Sequence, residues 1–356
     1  MVSRRARERG WMRTMHPSGA HNAVTDVPGV RVGHAGLVAS EGASHTGVTV
    51  LDLPGQDRWR CRYFAGSAVV NGFGLMTGRD AVDSQGLITG PIVLTGTRSV
   101  GAVYDAVVAR SLAEDRAAVV NDLPLPVVGE CDDGYLSSPD VVCGPATLDA
   151  AFRALGGGPV EEGSVGAGAG MHLFGYKGGI GTASRLVSWD AGTCMVGVLL
   201  LTNFGRPEDL RLPWGAAAPP GPDADPHPGS CIGLVVTDAP LHPHQLQRLA
   251  ARVGFGLART GSIGRSGSGE LALAVSTHLL DDSGSAPAPA GFVADRPLGR
   301  APVMDLLYGA TVDATEEAVW NALLAAQTRE GSQGRRLVAF SDSYPDLAWA
   351  PEWVRG

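Results

Sequence analysis

No apolar run in this chain reaches the roughly 18 residues that a membrane-spanning helix needs, so the sequence offers no span across a bilayer. No dense basic run is present either, and the formal net charge is −8, which argues against nucleic acid as a partner. The five cysteines, Cys61, Cys131, Cys143, Cys194 and Cys231, contain no Cys-x-x-Cys pair and no metal-ligand spacing. Their odd number and apolar surroundings read as buried free thiols of a reducing, cytoplasmic setting. The basic segment Met1 to His16 lacks an apolar h-region and is not a secretory signal. Residues 1–21 read as a disordered extension, with Met12 or Met15 as alternative starts. Neither Gly166–Gly170 nor Lys177-Gly178-Gly179-Ile180-Gly181-Thr182 matches a P-loop or a dinucleotide fingerprint. His242 and His244 have no carboxylates at ligand spacing.

What the chain does have is 44% apolar residues and 50 glycines against only 18% charged residues, the composition of a globular protein with tightly packed sheets. Strand patterns fall on Val30–His34, Thr46–Leu53, Ile92–Thr95 and Val127–Glu130. Met195–Thr202, Ile232–Thr237 and Leu271–Ser276 are continuous apolar runs, as expected of strands covered on both faces. Helical spacing covers Val100–Leu112, Ala146–Leu155, Leu246–Ala258 and Thr311–Ala326. Pro213–Gly229 and Asp281–Arg300 read as loose loops, and no linker or repeat divides residues 22–356, which form one α/β domain with strands between helical layers.

Chemistry concentrates in a few places. Between the helix ending at Ala258 and the strand starting at Leu271, Ser262 directly follows Gly261 in a glycine-rich segment. On composition this is also a plain flexible loop. A Gly-Ser bond, however, is where a chain can cut itself: the serine hydroxyl attacks the preceding carbonyl and leaves a new N-terminal serine, a nucleophile carrying its own amine. Glycine suits the acyl side because it has no Cβ and tolerates unusual dihedrals. Glu130-Cys131-Asp132-Asp133-Gly134-Tyr135 follows a strand, as a turn or as a site loop. Asn203 ends another strand, as an Asx turn or as an oxyanion donor. Glu316 and Glu317 lie in the last long helix, where one of them can face a site.

Taken together, Thr25-Asp26-Val27-Pro28-Gly29-Val30-Arg31-Val32-Gly33-His34, Met76-Thr77-Gly78, Pro126-Val127-Val128-Gly129-Glu130, Lys177 to Thr182, Asn203-Phe204-Gly205, Gly256 to Ser262 and Ala314-Thr315-Glu316-Glu317-Ala318 resemble the DmpA-type L-aminopeptidase/D-esterases and β-peptidyl aminopeptidases. The resemblance spans roughly residues 22 to 328. It implies a four-layer α/β/β/α sandwich resembling N-terminal-nucleophile hydrolases, and self-cleavage before Ser262 into an α chain, 1–261, and a β chain, 262–356. It implies an oxyanion site at Tyr135 and Asn203 and a supporting glutamate at Glu316. Some members carry a serine two residues before that glutamate, where this chain has Ala314. The family segment Asn-Gly-Asn-Gly-Glu-Met-Thr-Gly falls on Asn71–Gly78, where Phe73 and Leu75 replace two polar residues, and the resemblance implies a more apolar substrate pocket. Glu130 and Asp133 are the carboxylates available to a substrate ammonium. The implied activity is a serine aminopeptidase that releases unblocked N-terminal residues from short peptides, amides or esters. It needs no metal or organic cofactor and works as a homo-oligomer of αβ units, a tetramer or larger. The rival readings are an altered homologue that binds small amines or amides without turnover, and an acyltransferase of the ornithine acetyltransferase type.

Overall fold

The computed structural model describes residues 5–12, 14–38, 44–55, 57–121, 125–190, 192–213, 229–279 and 302–345. In chain order these form β1 (Arg31–Val38), β2 (His45–Asp52), β3 (Arg62–Gly72), α1 (Arg79–Gln85), β4 (Leu87–Thr89), β5 (Ile92–Gly96), α2 (Val100–Glu114), α3 (Arg116–Asn121), β6 (Val127–Cys131) and α4 (Pro145–Arg153). There follow the short hairpin β7 (His172–Leu173) and β8 (Tyr176–Lys177), then β9 (Gly179–Trp189), β10 (Gly192–Asn203), β11 (Ser230–Thr237), α5 (Pro243–Ala250), α6 (Arg252–Arg259), β12 (Gly269–Leu279) and α7 (Pro302–Ala325).

Two sheets carry the fold. One has the order β1-β2-β5-β6 and the other β4-β3-β12-β11-β10-β9. Only β5–β6 and β11–β12 pair in parallel within them. The continuous apolar strands split their side chains between two cores. Leu199 and Leu201 of β10, Ile232, Leu234 and Val236 of β11, and Leu271, Leu273 and Val275 of β12 face the four-stranded sheet, where Leu51, Ile92 and Leu94 meet them. Val198 and Leu200, Val235, and Ala272 and Ala274 face the opposite way, onto Leu246, Leu249, Val253, Leu257 and α7. The small alanines on that face let the helices approach closely. A third core joins Val48, Val50, Val93 and Val128 to Val103 and Val107 of α2 and Leu148 and Phe152 of α4. The layers are therefore α2/α4, sheet, sheet, α5/α6/α7, the expected α/β/β/α sandwich.

Several expectations change in detail. The helix expected over Leu246–Ala258 is two helices, α5 and α6, with Ala251 between them. β9 was not expected from the sequence, because its first residues are Gly179, Ile180 and Gly181. Those glycines are required by packing: a Cβ on Gly181 would stand 1.9 Å from the Ala318 carbonyl oxygen of α7. Residues 5–21, expected as a disordered extension, are anchored at several described positions. Trp11 meets Trp320 edge to face at 5.2 Å, the Ala6 amide donates to Asn321 Oδ1 at 3.0 Å, and Arg5 pairs with Glu162 at 3.3 Å. The basic composition of the segment concealed these anchors. Of the two expected loops, 214–228 and 281–300 lie outside the described residues.

Candidate active site

The sandwich has one end where the chemistry-bearing residues gather. In the six-stranded sheet Asn203 lies opposite Ser230, Ser230 opposite Gly269, and Gly269 opposite Gly72. In the other sheet Gly96 lies opposite Cys131. The chain leaving β3 crosses between the sheets and adds to the edge of β6, with an isolated bridge between Met76 and Gly129. Asn203 makes a second tie, its Nδ2 donating to the Asp132 carbonyl at 2.9 Å. The loop that carries Gly261-Ser262 enters β12 at this same end.

That loop is held in one conformation. The Leu257 carbonyl accepts from the amides of Thr260 at 3.1 Å and Ser262 at 3.2 Å, and the Gly261 amide donates to Ala258 O at 3.0 Å. From outside, the Arg211 amide donates to Thr260 O at 2.9 Å. Gly261 has φ +108°, a backbone region that side chains rarely enter, and a Cβ there would stand 1.9 Å from the Asp209 carbonyl oxygen. Two independent constraints therefore demand glycine on the acyl side of this bond. Asp209 is itself fixed by Arg265, at 2.8 and 2.9 Å. Ser262 is half-buried, and its Oγ accepts a long bond from the Gly264 amide at 3.4 Å, which leaves the hydroxyl proton free to be taken.

Asn203 is buried. Its Oδ1 accepts from the His172 amide at 2.9 Å, which fixes the orientation of the amide. One Nδ2 proton goes to Asp132 O; an amide nitrogen has two, and the second remains for an oxyanion. Tyr135 has another neighbour. Its ring lies 5.4 Å from the Arg335 guanidinium carbon, which in turn donates to Gly134 O at 3.3 Å. The residue placed directly beside Asn203 is Asp132, whose own side chain is exposed.

The three acids expected near the site have distinct settings. Glu130 is buried; its carboxylate accepts from the Leu75 amide at 2.8 Å and from the Thr97 hydroxyl, while burial pushes its pKa up. Asp133 is buried too, and burial raises its carboxyl to about 6. Its Oδ2 has no hydrogen-bond partner among the described residues. Glu316, half-buried on α7 and also raised by burial, accepts from Arg259 at 3.1 Å, three residues before Ser262. Its neighbour Glu317 faces away, into a buried pair with Arg185 at 2.6 Å. Ala314 offers no hydroxyl, but Thr315 Oγ1 is buried without a partner and packs where α7 meets Gly256 of α6.

A cleft of about 370 Å³ opens beside this end, lined by Val69, Leu75, Met76, Leu125 and Leu271, with Arg79 and Asp80 among its polar residues. Leu75 belongs to it. Phe73 does not line it and stands 72% exposed. Sequence reasoning also passed over Asn71, whose Nδ2 donates to the carbonyls of Arg265 at 2.9 Å, Ser266 at 3.2 Å and Ser268. It clamps the loop downstream of Ser262. A polar residue ending an apolar strand was the only signal for it. Among the described residues, no group of three or more His, Cys, Asp or Glu side chains is arranged to hold a metal ion.

The comparisons with known proteins bear on the family and the fold. The profile of peptidase family S58 matches residues 22–337. The β-peptidyl aminopeptidase BapA of Sphingosinicella xenopeptidilytica is 38% identical over 345 residues, covering 90% of this chain and 84% of that protein. Among solved structures, the L-aminopeptidase D-Ala-esterase/amidase of Ochrobactrum anthropi, described as a variant of the Ntn hydrolase fold, superposes with a TM-score of 0.83 at 32% identity, covering 97% of this chain and all of that one. A β-aminopeptidase of Burkholderia sp. gives a TM-score of 0.81 at 36% identity, covering 98% of this chain and 100% of that one.

Proposed function

We propose, from the premise that this chain belongs to peptidase family S58 and is a serine-type aminopeptidase, that it becomes active by cutting its own Gly261–Ser262 bond and then uses Ser262 as its nucleophile. The observation that supports this most directly is the pinned glycine. The bond is held at φ +108° against the Asp209 carbonyl, a constraint a passive linker would not need. In the precursor, Ser262 Oγ attacks the Gly261 carbonyl, the amide becomes an ester, and water releases the two chains.

In the mature enzyme the same Oγ attacks the carbonyl of a substrate's first residue. The acyl-enzyme is then resolved by water. The spare Nδ2 proton of Asn203 stabilises the oxyanion, an interaction that elsewhere is worth about 3 kcal/mol. Tyr135, on the loop Asn203 touches, is the second donor to test. The base is either the new amine of Ser262, whose ordinary pKa of about 7.7–8.0 suits proton transfer near neutrality, or Glu316 acting with a hydroxyl. Glu130 and Asp133 are the carboxylates for the substrate ammonium. The apolar cleft beside Leu75 takes an apolar first residue. Peptides, amides and esters with a free amine form the substrate class, and the relatives' names extend it to β-peptides. The free, mostly buried cysteines favour the cytoplasm, and the exposed Val70, Phe73, Phe255 and Ile263 favour an assembly of αβ units.

Intact-mass analysis tests the reading. Since 261 of 356 residues precede the bond in a 36.7 kDa chain, fragments of about 27 and 10 kDa are expected, the smaller beginning Ser262-Ile263-Gly264. Ser262→Ala should leave one chain without activity. A wild-type protein that stays whole yet cleaves aminoacyl p-nitroanilides would refute it.

A further inference from the structure

Two buried carboxylate oxygens in the described residues have no hydrogen-bond partner, Asp133 Oδ2 and Glu270 Oε2. Such an oxygen carries an uncompensated desolvation cost, so each marks a place that fits a donor. Glu270 is the second residue of β12 and is 4% exposed. Its Oε1 accepts from the Ser268 hydroxyl. Its Oε2 points at the loop beyond the scissile bond: a Cβ on Gly264 would stand 3.9 Å from it. Gly264 is also the residue whose amide reaches Ser262 Oγ. Glu270 further lines a small hollow with Val70, Cys231, Val253, Gly254 and Leu257. Leu257 supplies the carbonyl that the Ser262 nitrogen touches at 3.2 Å in the uncut chain. The nitrogen that cleavage would free therefore starts beside Leu257, a residue that lines the same hollow as Glu270.

We infer that Glu270 is the counter-charge for the α-ammonium of Ser262 in the processed enzyme, holding the new N-terminus and with it the nucleophile. The inference rests on the self-processing proposed above. The protons balance. During the acyl shift the Ser262 Oγ proton passes to the departing nitrogen, which becomes a neutral amine. Hydrolysis of the ester returns a proton from water to Oγ, and the Gly261 carboxyl gives its own to solvent. The amine then takes up a proton from solvent and closes an ion pair with the Glu270 carboxylate, whose pKa burial raises in the uncut chain. Around it, the lead-in to β12 supplies the Ser268 hydroxyl, β11 supplies the Cys231 thiol and β3 places Asn71 opposite it in register, while α6 and the rest of β3 line the hollow with apolar groups. The nearby charges are already committed, Arg265 to Asp209 and Arg259 to Asp313 and Glu316. An amine so held is charged near neutrality and cannot serve as the base, which leaves proton transfer from Ser262 Oγ to the Glu316 side of the site. Glu270 is then a positioning residue.

The test is the pKa of that amine, read on the full-length processed enzyme by competitive labelling with a trace of acetic anhydride across pH 6 to 10. The tryptic peptide Ser262-Ile263-Gly264-Arg265 reports the result by mass. An opposite charge in close contact raises an amine by one unit or more, so the wild-type value should lie at least a unit above the ordinary 7.7–8.0. Glu270→Gln should bring it down by about a unit, with roughly fivefold more labelling at pH 8. A wild-type amine at or below the ordinary value overturns the inference, and so does an unchanged curve in Glu270→Gln. If that variant fails to fold, the wild-type value alone decides. A chain that never yields a Ser262 terminus overturns the processing reading itself, and is recognised by its single intact mass.

Discussion

Replacing Gly261 with alanine sets the geometry of the scissile bond against a single methyl group. The new Cβ would stand 1.9 Å from the Asp209 carbonyl oxygen, where ordinary contact begins near 3.4 Å, so something must move by about 1.5 Å. Two movements can relieve the clash. If the scissile segment swings away from Asp209 while residue 261 keeps a positive φ, alanine carries a backbone penalty of about 1–3 kcal/mol. If residues 207–211 retreat, the Arg211–Thr260 hydrogen bond is lost at about 1 kcal/mol, and the partly exposed Arg265–Asp209 pair loosens at no more than about 1 kcal/mol more. Either way the fold loses no more than about 3 kcal/mol locally, which the three cores can absorb. The chemistry cannot absorb it, because Ser262 Oγ must reach the carbonyl carbon of residue 261 within a narrow cone, and a displacement of about 1 Å costs on the order of 100-fold in rate. Precursor refolded from denaturant and sampled on denaturing gels over time should therefore cut at least about 100-fold more slowly in Gly261→Ala than in wild type, while circular dichroism remains native. Cleavage within about threefold of the wild-type rate would show that the pinned glycine is unrelated to processing.

Further outcomes follow from the same geometry. Asn203→Ala should lower turnover by about 10²–10³, and because it also releases the His172 amide and the Asp132 carbonyl, thermal stability should fall with it. Tyr135→Phe separates the two candidate donors: a comparable fall in kcat would bring the Tyr135 hydroxyl to the oxyanion, and wild-type kcat would leave that role to Asn203 alone. N-acetylated Leu-p-nitroanilide should resist the enzyme while Leu-p-nitroanilide is cleaved, since the acetyl cap removes the ammonium that a carboxylate must hold; comparable rates would defeat the placement of that carboxylate. Asp133 gives a pH signature. Its folded pKa, about 6, lies above the unfolded value of about 3.9, so the folded state holds an extra proton between those pH values and loses stability as pH rises through them. Asp133→Asn should therefore gain up to about 3 kcal/mol at pH 8 relative to its effect at pH 4; melting temperatures that shift equally at both pH values would contradict the burial argument.

The strands were legible because burial on both faces leaves a simple trace. Val198 to Leu201, Ile232 to Val236 and Leu271 to Val275 are apolar without interruption, and each alternates between two cores. β9 left no such trace, since Gly179 and Gly181 are shaped by what packs on them and carry no side chain to reveal it. The N-terminal segment misled for a related reason: its basic residues dominate the composition, whereas Trp11 and Ala6 decide where it lies. At the site, the Gly261-Ser262 pair was legible as chemistry and Asn203 as a strand-end amide. The orientation of Tyr135 was not, because a loop's direction is set by partners distant in sequence, here Arg335, two hundred residues on. Glu270 looked like an ordinary strand residue; only the absence of a partner for Oε2 singles it out, and that is a property of packing. Phe73 and Leu75 shared one substitution argument, yet they part company in space, Leu75 lining the cleft and Phe73 facing outward.

The position of the proposed scissile bond also bears on how the sandwich would survive being cut. β11 and β12 are adjacent and parallel, so the chain must cross over between them, and it does so through α5 and α6, as parallel neighbours require. The Gly261–Ser262 bond lies at the end of that crossover, just beyond α6. Once the chain has folded, the crossover has delivered β12 to its place, and what holds the strand there is no longer the connection. β12 pairs with β11 over Gly269–Ser276 on one side and with β3 on the other, and it sends Leu271, Leu273 and Val275 into one core and Ala272 and Ala274 into the other. α5 and α6 are held independently by their packing on the sheet and on α7. Cutting between α6 and β12 breaks one covalent bond and disturbs none of these contacts, and it opens the chain seven residues ahead of the ladder, where Asn71 already clamps the lead-in. The constraint that fixes the bond, the Asp209 carbonyl against Gly261, exists only after the segment following β10 and the end of α6 have come together. Under the proposed processing, the fold would set the order of events: β12 must be seated before the bond that brought it there takes the conformation from which Ser262 would attack.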